Sequence, residues 1–89
     1  MASVYLDGML REFVRVRRVD STASTVGTAL DELERKYPRL LGKLRDETGH
    51  LRRFIRVFVN GEDVERLRGL ETPLSAADRM DILHSIAGG

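Results

Sequence analysis

The sequence predicts an α+β domain in which one main helix packs across a mixed sheet of four to five strands. Three observations support this fold class. Residues 12–19 and 51–60 alternate apolar and polar side chains, a pattern typical of half-buried strands. Between these segments, apolar residues recur at helical spacing from Val26 to Tyr37. Residues 79–86 alternate again and predict a strand that closes the sheet.

The N-terminal part of the chain predicts a hairpin. Residues 3–6 include the β-branched Val4 and the aromatic Tyr5, and Asp7-Gly8 follows as a turn signal. In the second strand, residues 12–19, Val14 and Val16 fall on one side and the intervening arginines on the other. We expect a loop longer than two residues, through positions 8–11, to join the two strands.

The helical segment has clear start and stop signals. Thr25 is the expected N-cap, with Ser24 as the other candidate. Pro38 ends the main helix and opens a second, shorter helix. The apolar side of the short helix is expected to contain three leucines, Leu40, Leu41 and Leu44. The acidic residues of the main helix, Asp31, Glu32 and Glu34, are expected on its solvent-exposed side.

The later strands complete the predicted sheet. In residues 51–60, the side chains of Ile55, Val57 and Val59 are expected to point to the core. Asn60-Gly61 is a hairpin signal, and residues 62–64 would form a short return strand. A last strand that pairs beside the first, with one helix across the sheet, gives the β-grasp arrangement.

Composition limits the classes of function. The 89 residues suffice for one domain, residues 1–89, with a flexible tail at residues 87–89. A net charge of +1 gives no general attraction to nucleic acid or membranes. The absence of cysteine excludes disulfides, thiolate metal sites and a cysteine nucleophile. His50 and His84 form no metal-ligand pattern. With no signal peptide or membrane span in the sequence, we expect a cytoplasmic protein.

Three stretches of the chain carry a resemblance to a known family. They are TVGTALDELERKYPRLLGKL, RFIRVFVNGEDV and GLETPLSAADRMDILHSIAGG. Together they resemble the MoaD/ThiS family of ubiquitin-like sulfur carrier proteins, in the branch of the molybdopterin-synthase small subunit and the carrier for cysteine biosynthesis. The chain departs from the family at two points: Ala77-Asp78 stands where Gly-Asp is common, and His84 where proline is frequent.

The resemblance implies that the C-terminal carboxylate is the functional group. An ATP-dependent adenylating enzyme would activate Gly89, and sulfur would then convert it to a thiocarboxylate. Gly88 and Ala87 would thread into that enzyme, because small residues allow a close approach of its backbone. The resemblance also implies that the chain is not itself an enzyme and that it binds no cofactor or metal. A sulfur-accepting biosynthetic enzyme would be its second partner.

The residues themselves agree with a carrier without catalytic groups. Without cysteine, sulfur can be carried on no side-chain thiol. His84 and Ser85 are neighbours in a predicted strand, so they would point to opposite faces and form no nucleophile–base pair.

A partner surface is expected on the sheet. Phe54, Arg56 and Phe58 would share the face away from the core, and His84 lies near the tail. Aromatic and arginine side chains are frequent in interfaces. The arginines admit two interpretations, a solvated sheet face or a docking surface. They are Arg11, Arg15, Arg17, Arg18, Arg52, Arg53 and Arg56.

Several functional alternatives remain open at the level of sequence. The sulfur acceptor could be a molybdopterin precursor, an activated serine, a thiazole precursor, a tRNA base or a specialised metabolite. The same activated terminus could form isopeptide bonds to lysines, as in a ubiquitin-like modifier. A β-grasp module that binds RNA is the third alternative, and the near-zero net charge disfavours it. We expect a monomer when the protein is free.

Overall fold

A five-stranded mixed sheet with one α-helix across it forms the body of the protein. The structure is a computed structural model, and it describes residues 1–84. The strands are β1 (Ala2–Leu6), β2 (Arg18–Ser21), β3 (Ile55–Val59), β4 (Glu62–Asp63) and β5 (Arg79–His84), and the helix is α1 (Val26–Lys36). Short 3₁₀ helices span Gly8–Glu12, Pro38–Leu40, Val64–Arg66 and Gly69–Glu71.

The strand order is β2-β1-β5-β3-β4, so β5 lies in the centre of the sheet. It runs parallel to β1 and antiparallel to β3. The register places Tyr5 of β1 beside Asp81, and Phe58 of β3 on the other side of that same residue. A last strand inserted beside the first, with a helix packed over one face, confirms the predicted β-grasp fold.

Helix α1 begins and ends where its sequence signals place it. The hydroxyl of Thr25 accepts a hydrogen bond from the N–H of Thr28, whose own hydroxyl accepts one from the N–H of Thr25. This reciprocal cap satisfies two donors that a helix start leaves free. The helix ends at Lys36, two residues before Pro38. A Cβ at Gly27 would lie 3.1 Å from the carbonyl oxygen of Leu70, which explains a small residue there.

The core lies between the sheet and α1. Ile55, Val57 and Val59 of β3 are buried as predicted, and Met80 and Ile82 of β5 are completely buried. On the helix, the inward face contains four residues, Val26, Ala29, Leu30 and Leu33. Burial of a side chain of this size stabilises the fold by about 1.5–3 kcal/mol. The apolar residues of the strands, which recur every second position, therefore pack against those of α1, which recur at helical spacing.

The predicted second strand is wrong over its first six residues. It was expected at residues 12–19, whereas β2 begins at Arg18. The chain leaves β1 at Asp7, whose carboxylate accepts a hydrogen bond from the N–H of Gly8, and then forms the 3₁₀ helix Gly8–Glu12. This turn buries Leu10 completely, and Val14 is also buried. The misleading alternation came from Val14, which is buried, and Val16, which is half-buried, both outside any strand.

The predicted short helix is reduced to the 3₁₀ turn Pro38–Leu40. Leu40 and Leu44 are buried, but Leu41 is 61% exposed, so its expected place on the apolar side is wrong. The cause is the backbone of Leu41 at φ −57° and ψ 129°, followed by Gly42 at φ +78°. A left-handed glycine of this kind ends a helical turn.

Strand β3 is shorter than predicted, and its hairpin has the predicted turn. A turn closed by the bond from the N–H of Ile55 to the carbonyl of Arg52 replaces the first residues of the expected strand 51–60. Asn60 and Gly61 both have positive φ, 52° and 85°, as a two-residue hairpin loop requires. The return strand is Glu62–Asp63. The predicted last strand, 79–86, is observed as far as His84, where the described residues end.

Candidate functional site

The end of β5 defines the candidate site, because the rest of the chain continues from it. Strand β1 is parallel to β5, so the two strands end at the same edge of the sheet. There the N–H of Asp7 bonds to the carbonyl of Ile82, at 3.1 Å. On the other side, Ile55 at the start of β3 pairs with His84. We call this end of the sheet the exit edge: residues 6–8, residues 53–55 and His84.

The predicted tail lies outside the described residues. Ala87, Gly88 and Gly89 were expected to thread into a partner and to carry the sulfur, and these predictions stay predictions. What the structure shows is the strand that precedes them. That strand pairs with β1 over residues 79–82 and with β3 over residues 80–84, so the tail follows a strand held between two neighbours.

Arg56 and Phe58 lie together on the face of the sheet away from α1, the outer face. Cross-strand pairing puts Arg56 beside Leu83 and Phe58 beside Asp81 on this face. Phe58 is half-buried, and Arg56 is exposed and forms an ion pair with Asp63 at 3.2 Å. The two residues are thus placed as the sequence predicts, next to the strand that leads to the tail.

His84 lies on the opposite face from Arg56 and Phe58. Its cross-strand partner is Ile55, which is buried in the core, and directly paired residues point to the same face. The Nδ1 atom of His84 is buried and has no hydrogen-bond partner within residues 1–84. His84 therefore shares the exit edge with Phe54, but it shares no face with the other predicted docking residues.

Phe54 lies in the turn that precedes β3. The guanidinium of Arg53 is 5.4 Å from the centroid of its ring. A cation over an aromatic face is attracted by about 0.5–1 kcal/mol at an exposed site. The pair places one aromatic ring and one arginine directly beside the end of β5.

Sequence reasoning missed a cluster in the middle of the outer face. The guanidinium of Arg79 is 3.9 Å from the ring centroid of Tyr5 and bonds to the carboxylate of Asp81, with Nη2 3.0 Å from Oδ1. The hydrogen bond to Asp81 raises the pKa of Arg79 above its ordinary value. The spacing of Arg79 and Asp81 in an alternating strand was the available signal. The parallel neighbour β1, which brings Tyr5, was not readable from local sequence.

A second missed cluster ties α1 to the segment that leads to the exit edge. Arg45 bonds to Asp31 at 2.7 Å and to both carboxylate oxygens of Glu34. The hydrogen bond to Glu34 is the largest cause that raises the pKa of Arg45. Glu34 is 9% exposed, so its expected place on the solvent side of the helix is wrong. The arginine, from a distant segment, makes its burial tolerable.

The chemical inventory of the described part of the chain is small. Within residues 1–84 there is no group of three or more His, Cys, Asp or Glu side chains that could hold a metal ion. Over the same residues, no helix has the length and apolar character needed to cross a bilayer. The outer face and the exit edge offer rings, guanidinium groups and ion pairs, which are groups suited to contact with a protein.

The fold and the site define a ubiquitin-like β-grasp domain whose central strand leads to the C-terminal residues. The chain belongs to the ThiS family, since the model of that family matches residues 4–89. This confirms the family predicted from the sequence.

The chain is also similar to individual sulfur carrier and modifier proteins. It is 35% identical over 75 residues to the sulfur carrier protein CysO of Mycobacterium tuberculosis, covering 82% of this chain and 81% of that protein. It is 38% identical over 72 residues to small archaeal modifier protein 3 of Haloferax volcanii, covering 81% and 76%. It also resembles a chain from the crystal structure of the Amycolatopsis orientalis BexX/CysO complex, with a TM-score of 0.88, 32% identity and complete coverage of both chains.

Proposed function

We propose that the chain is a sulfur carrier whose C-terminal Gly89 is adenylated and then converted to a thiocarboxylate. The observation that carries the proposal is the central strand β5, which leads directly to the Gly-Gly sequence in a chain of the ThiS family. The likeness to a sulfur carrier protein, CysO, over 82% of the chain supports it.

The proposed chemistry needs two transfers, both carried out by partner enzymes. The carboxylate of Gly89 attacks the α-phosphate of ATP, and pyrophosphate leaves. Sulfide (HS⁻) then attacks the acyl carbon, AMP leaves, and the proton of the new thioacid is lost to solvent. The product is a thiocarboxylate, which gives its sulfur to an accepting enzyme of a biosynthetic pathway. The chain itself acts as a co-substrate, because it supplies the reacting carboxylate and no catalytic group.

The small residues of the tail suit such a reaction. A terminus that enters another protein's active site must pass through a narrow channel. Gly88 and Gly89 lack side chains and Ala87 has only a methyl group, so the enzyme's backbone can approach closely. The chain is proposed to act in the cytoplasm, where ATP and the adenylating enzyme are available.

The outer face is proposed to contact the partners. Phe54, Arg56 and Phe58 lie on or next to this face, beside the strand that leads to the tail. His84, at the end of β5 on the opposite face, is proposed to contact the partner next to the start of the tail. That a CysO protein of Amycolatopsis orientalis occurs in a complex with BexX supports a carrier that works bound to a partner protein.

A pyrophosphate-exchange assay tests the proposal. The adenylating enzyme of the source organism is mixed with ATP, labelled pyrophosphate and either the wild-type chain or a variant that lacks Gly88 and Gly89. We expect label to enter ATP with the wild-type chain and to remain in pyrophosphate with the variant. Equal exchange with both chains would contradict the assigned role of the tail.

Conjugation to lysine is the second use that the same activated terminus allows. The 38% identity to an archaeal modifier protein is the observation that favours it. In cell extract with ATP, a modifier yields higher-mass conjugates of other proteins, whereas a carrier yields only the free chain with one oxygen replaced by sulfur. Immunoblotting of an epitope-tagged chain separates the two results.

A further inference from the structure

Three arginines at the exit edge have no charged partner. Arg11, Arg17 and Arg53 are exposed, and none of them forms an ion pair within residues 1–84. The arginines of the outer face are instead neutralised by neighbouring carboxylates, in the pairs Arg18–Asp20, Arg56–Asp63 and Arg79–Asp81. The arginines around the end of β5 therefore keep their positive charge uncompensated, unlike the paired arginines of the outer face.

Arg11 and Arg17 approach the exit edge from the side of β1. The carbonyl of Arg17 accepts a hydrogen bond from the N–H of Leu6, the last residue of β1, at 2.9 Å. Arg11 belongs to the 3₁₀ helix Gly8–Glu12, which starts beside the carbonyl of His84. Both arginines line one shallow cavity of about 190 Å³ on this side of the sheet.

Arg53 approaches the exit edge from the side of β3. It lies two residues before Ile55, the partner of His84, and its guanidinium lies over the ring of Phe54. Arg11, Arg17 and Arg53, which we call the arginine collar, thus flank the end of β5 on both sides.

The local charge differs from the charge of the whole chain. Residues 7–17 and 51–54 contain five arginines against Asp7 and Glu12, a net charge of +3. The whole chain carries +1, so the remaining residues carry −2. The carboxylate of Asp7 is in addition held by the N–H of Gly8, at 2.8 Å. The sheet is therefore locally positive around the end of β5.

We propose that the arginine collar docks on an acidic protein surface around the active-site entrance of the adenylating enzyme. This inference rests on the proposed function, since it names the chemistry of that enzyme's contact surface. Attraction between the collar and an acidic entrance favours encounters in which the exit edge faces that entrance. Complementary charges of this kind raise association rates and make them fall with ionic strength.

Charge reversal at the collar tests the proposal against a matched control. The test variant is Arg11→Glu with Arg17→Glu. The control, Arg66→Glu with Arg68→Glu, changes the net charge equally at exposed positions in the connection after β4. The N–H of Arg68 donates a hydrogen bond to the side chain of Thr72, and the carbonyl of Thr72 accepts one from Val26 at the start of α1. Arg68 therefore lies near the start of α1 and away from the exit edge. A thermal unfolding curve with a transition like that of the wild type is the check that each variant is folded.

The measured quantity is kcat/KM for pyrophosphate exchange by the adenylating enzyme, at low and at high salt. We expect the collar variant to lose about tenfold or more at low salt with kcat unchanged, and most of the loss to vanish at high salt, where charges are screened. The control is expected to remain close to the wild type. Equal effects of both variants, or none, would overturn the docking role. If wild-type chain supports no exchange, the proposed function itself fails.

RNA is the other polyanion that the collar could meet, and the same variants distinguish it. A net charge of +3 flanking one strand end is small for a nucleic-acid surface, which usually extends as a basic stripe. Filter binding of the wild-type chain to total tRNA is expected to show no retention at physiological salt. Retention that disappears in the collar variant and persists in the control would contradict the proposal.

Discussion

Arg45→Met removes the cation that ties the segment after Leu40 to helix α1. Arg45 bonds to Glu34 and Asp31, and the side chains of Arg45 and Glu34 are only 15% and 11% exposed. Methionine keeps most of the apolar stem of arginine, so packing changes little. The Glu34 carboxylate is then left close to the core without its cation.

The expected loss of stability follows from burial. Removal of one partner of a buried ion pair costs about 3–5 kcal/mol, and we expect about 3 kcal/mol for Arg45→Met because Glu34 retains slight contact with water. The pair with Asp31 adds little, because Asp31 is 49% exposed. Glu34→Gln keeps an oxygen that accepts from Arg45 and leaves Asp31 as counter-ion, so its cost is about 1–2 kcal/mol.

Urea unfolding of the wild type, both single variants and the double variant measures the coupling. We expect the double variant to be less destabilised than the sum of the single variants by about 1–2 kcal/mol, because the second change removes a charge that the first left unpaired. The m value, the slope of the unfolding free energy against urea concentration, should be the same for all four proteins. Additivity within about 0.5 kcal/mol would refute the view that the two side chains act as one unit.

Three other predictions concern a turn, a carboxylate and a cap. Gly61→Ala should cost about 1 kcal/mol in urea unfolding, because φ is +85° there. Hydrogen bonds from the Ser75 N–H and then from Asn60 lower the pKa of Asp78. Its stabilisation is therefore complete above the unfolded pKa of about 3.9 and is lost as pH falls through the lower folded pKa. The difference in Tm between the wild type and Asp78→Asn should therefore become smaller at acidic pH. A difference that stays constant with pH would contradict this. Thr25→Ala should cost about 1 kcal/mol, seen as a lower urea midpoint.

Local signals predicted the elements that depend on neighbours in sequence. Helix α1 was predicted with its cap at Thr25 because capping and helical periodicity act within a few residues. The turn at Asn60-Gly61 was predicted because only a few residue types accept positive φ at both positions. The burial of Ile55, Val57 and Val59 followed from strand alternation. These features needed no knowledge of the rest of the fold.

The features that the sequence left unpredicted depend on contacts between distant segments. Glu34 is buried because Arg45 reaches it from another segment, and no helical spacing reveals that pairing. The cluster of Tyr5 with Arg79 exists because β1 lies parallel to β5 in the sheet. The neighbour of His84 across the sheet was also unpredicted: His84 pairs with Ile55 and lies on the opposite face from Arg56. Register is set by the whole sheet, and a shift of one residue exchanges the faces.

The intact mass of the chain after reaction tests the central claim most directly. The wild-type protein is incubated with the adenylating enzyme of its source organism, ATP and sulfide, and a variant that lacks Gly89 is treated in parallel. The account predicts that the wild type gains the mass difference between sulfur and oxygen, whereas the shortened chain keeps its original mass. Thermal unfolding serves as the check that the shortened chain is folded. A wild-type chain of unchanged mass beside active enzyme, or a shortened chain that gains sulfur, would contradict it.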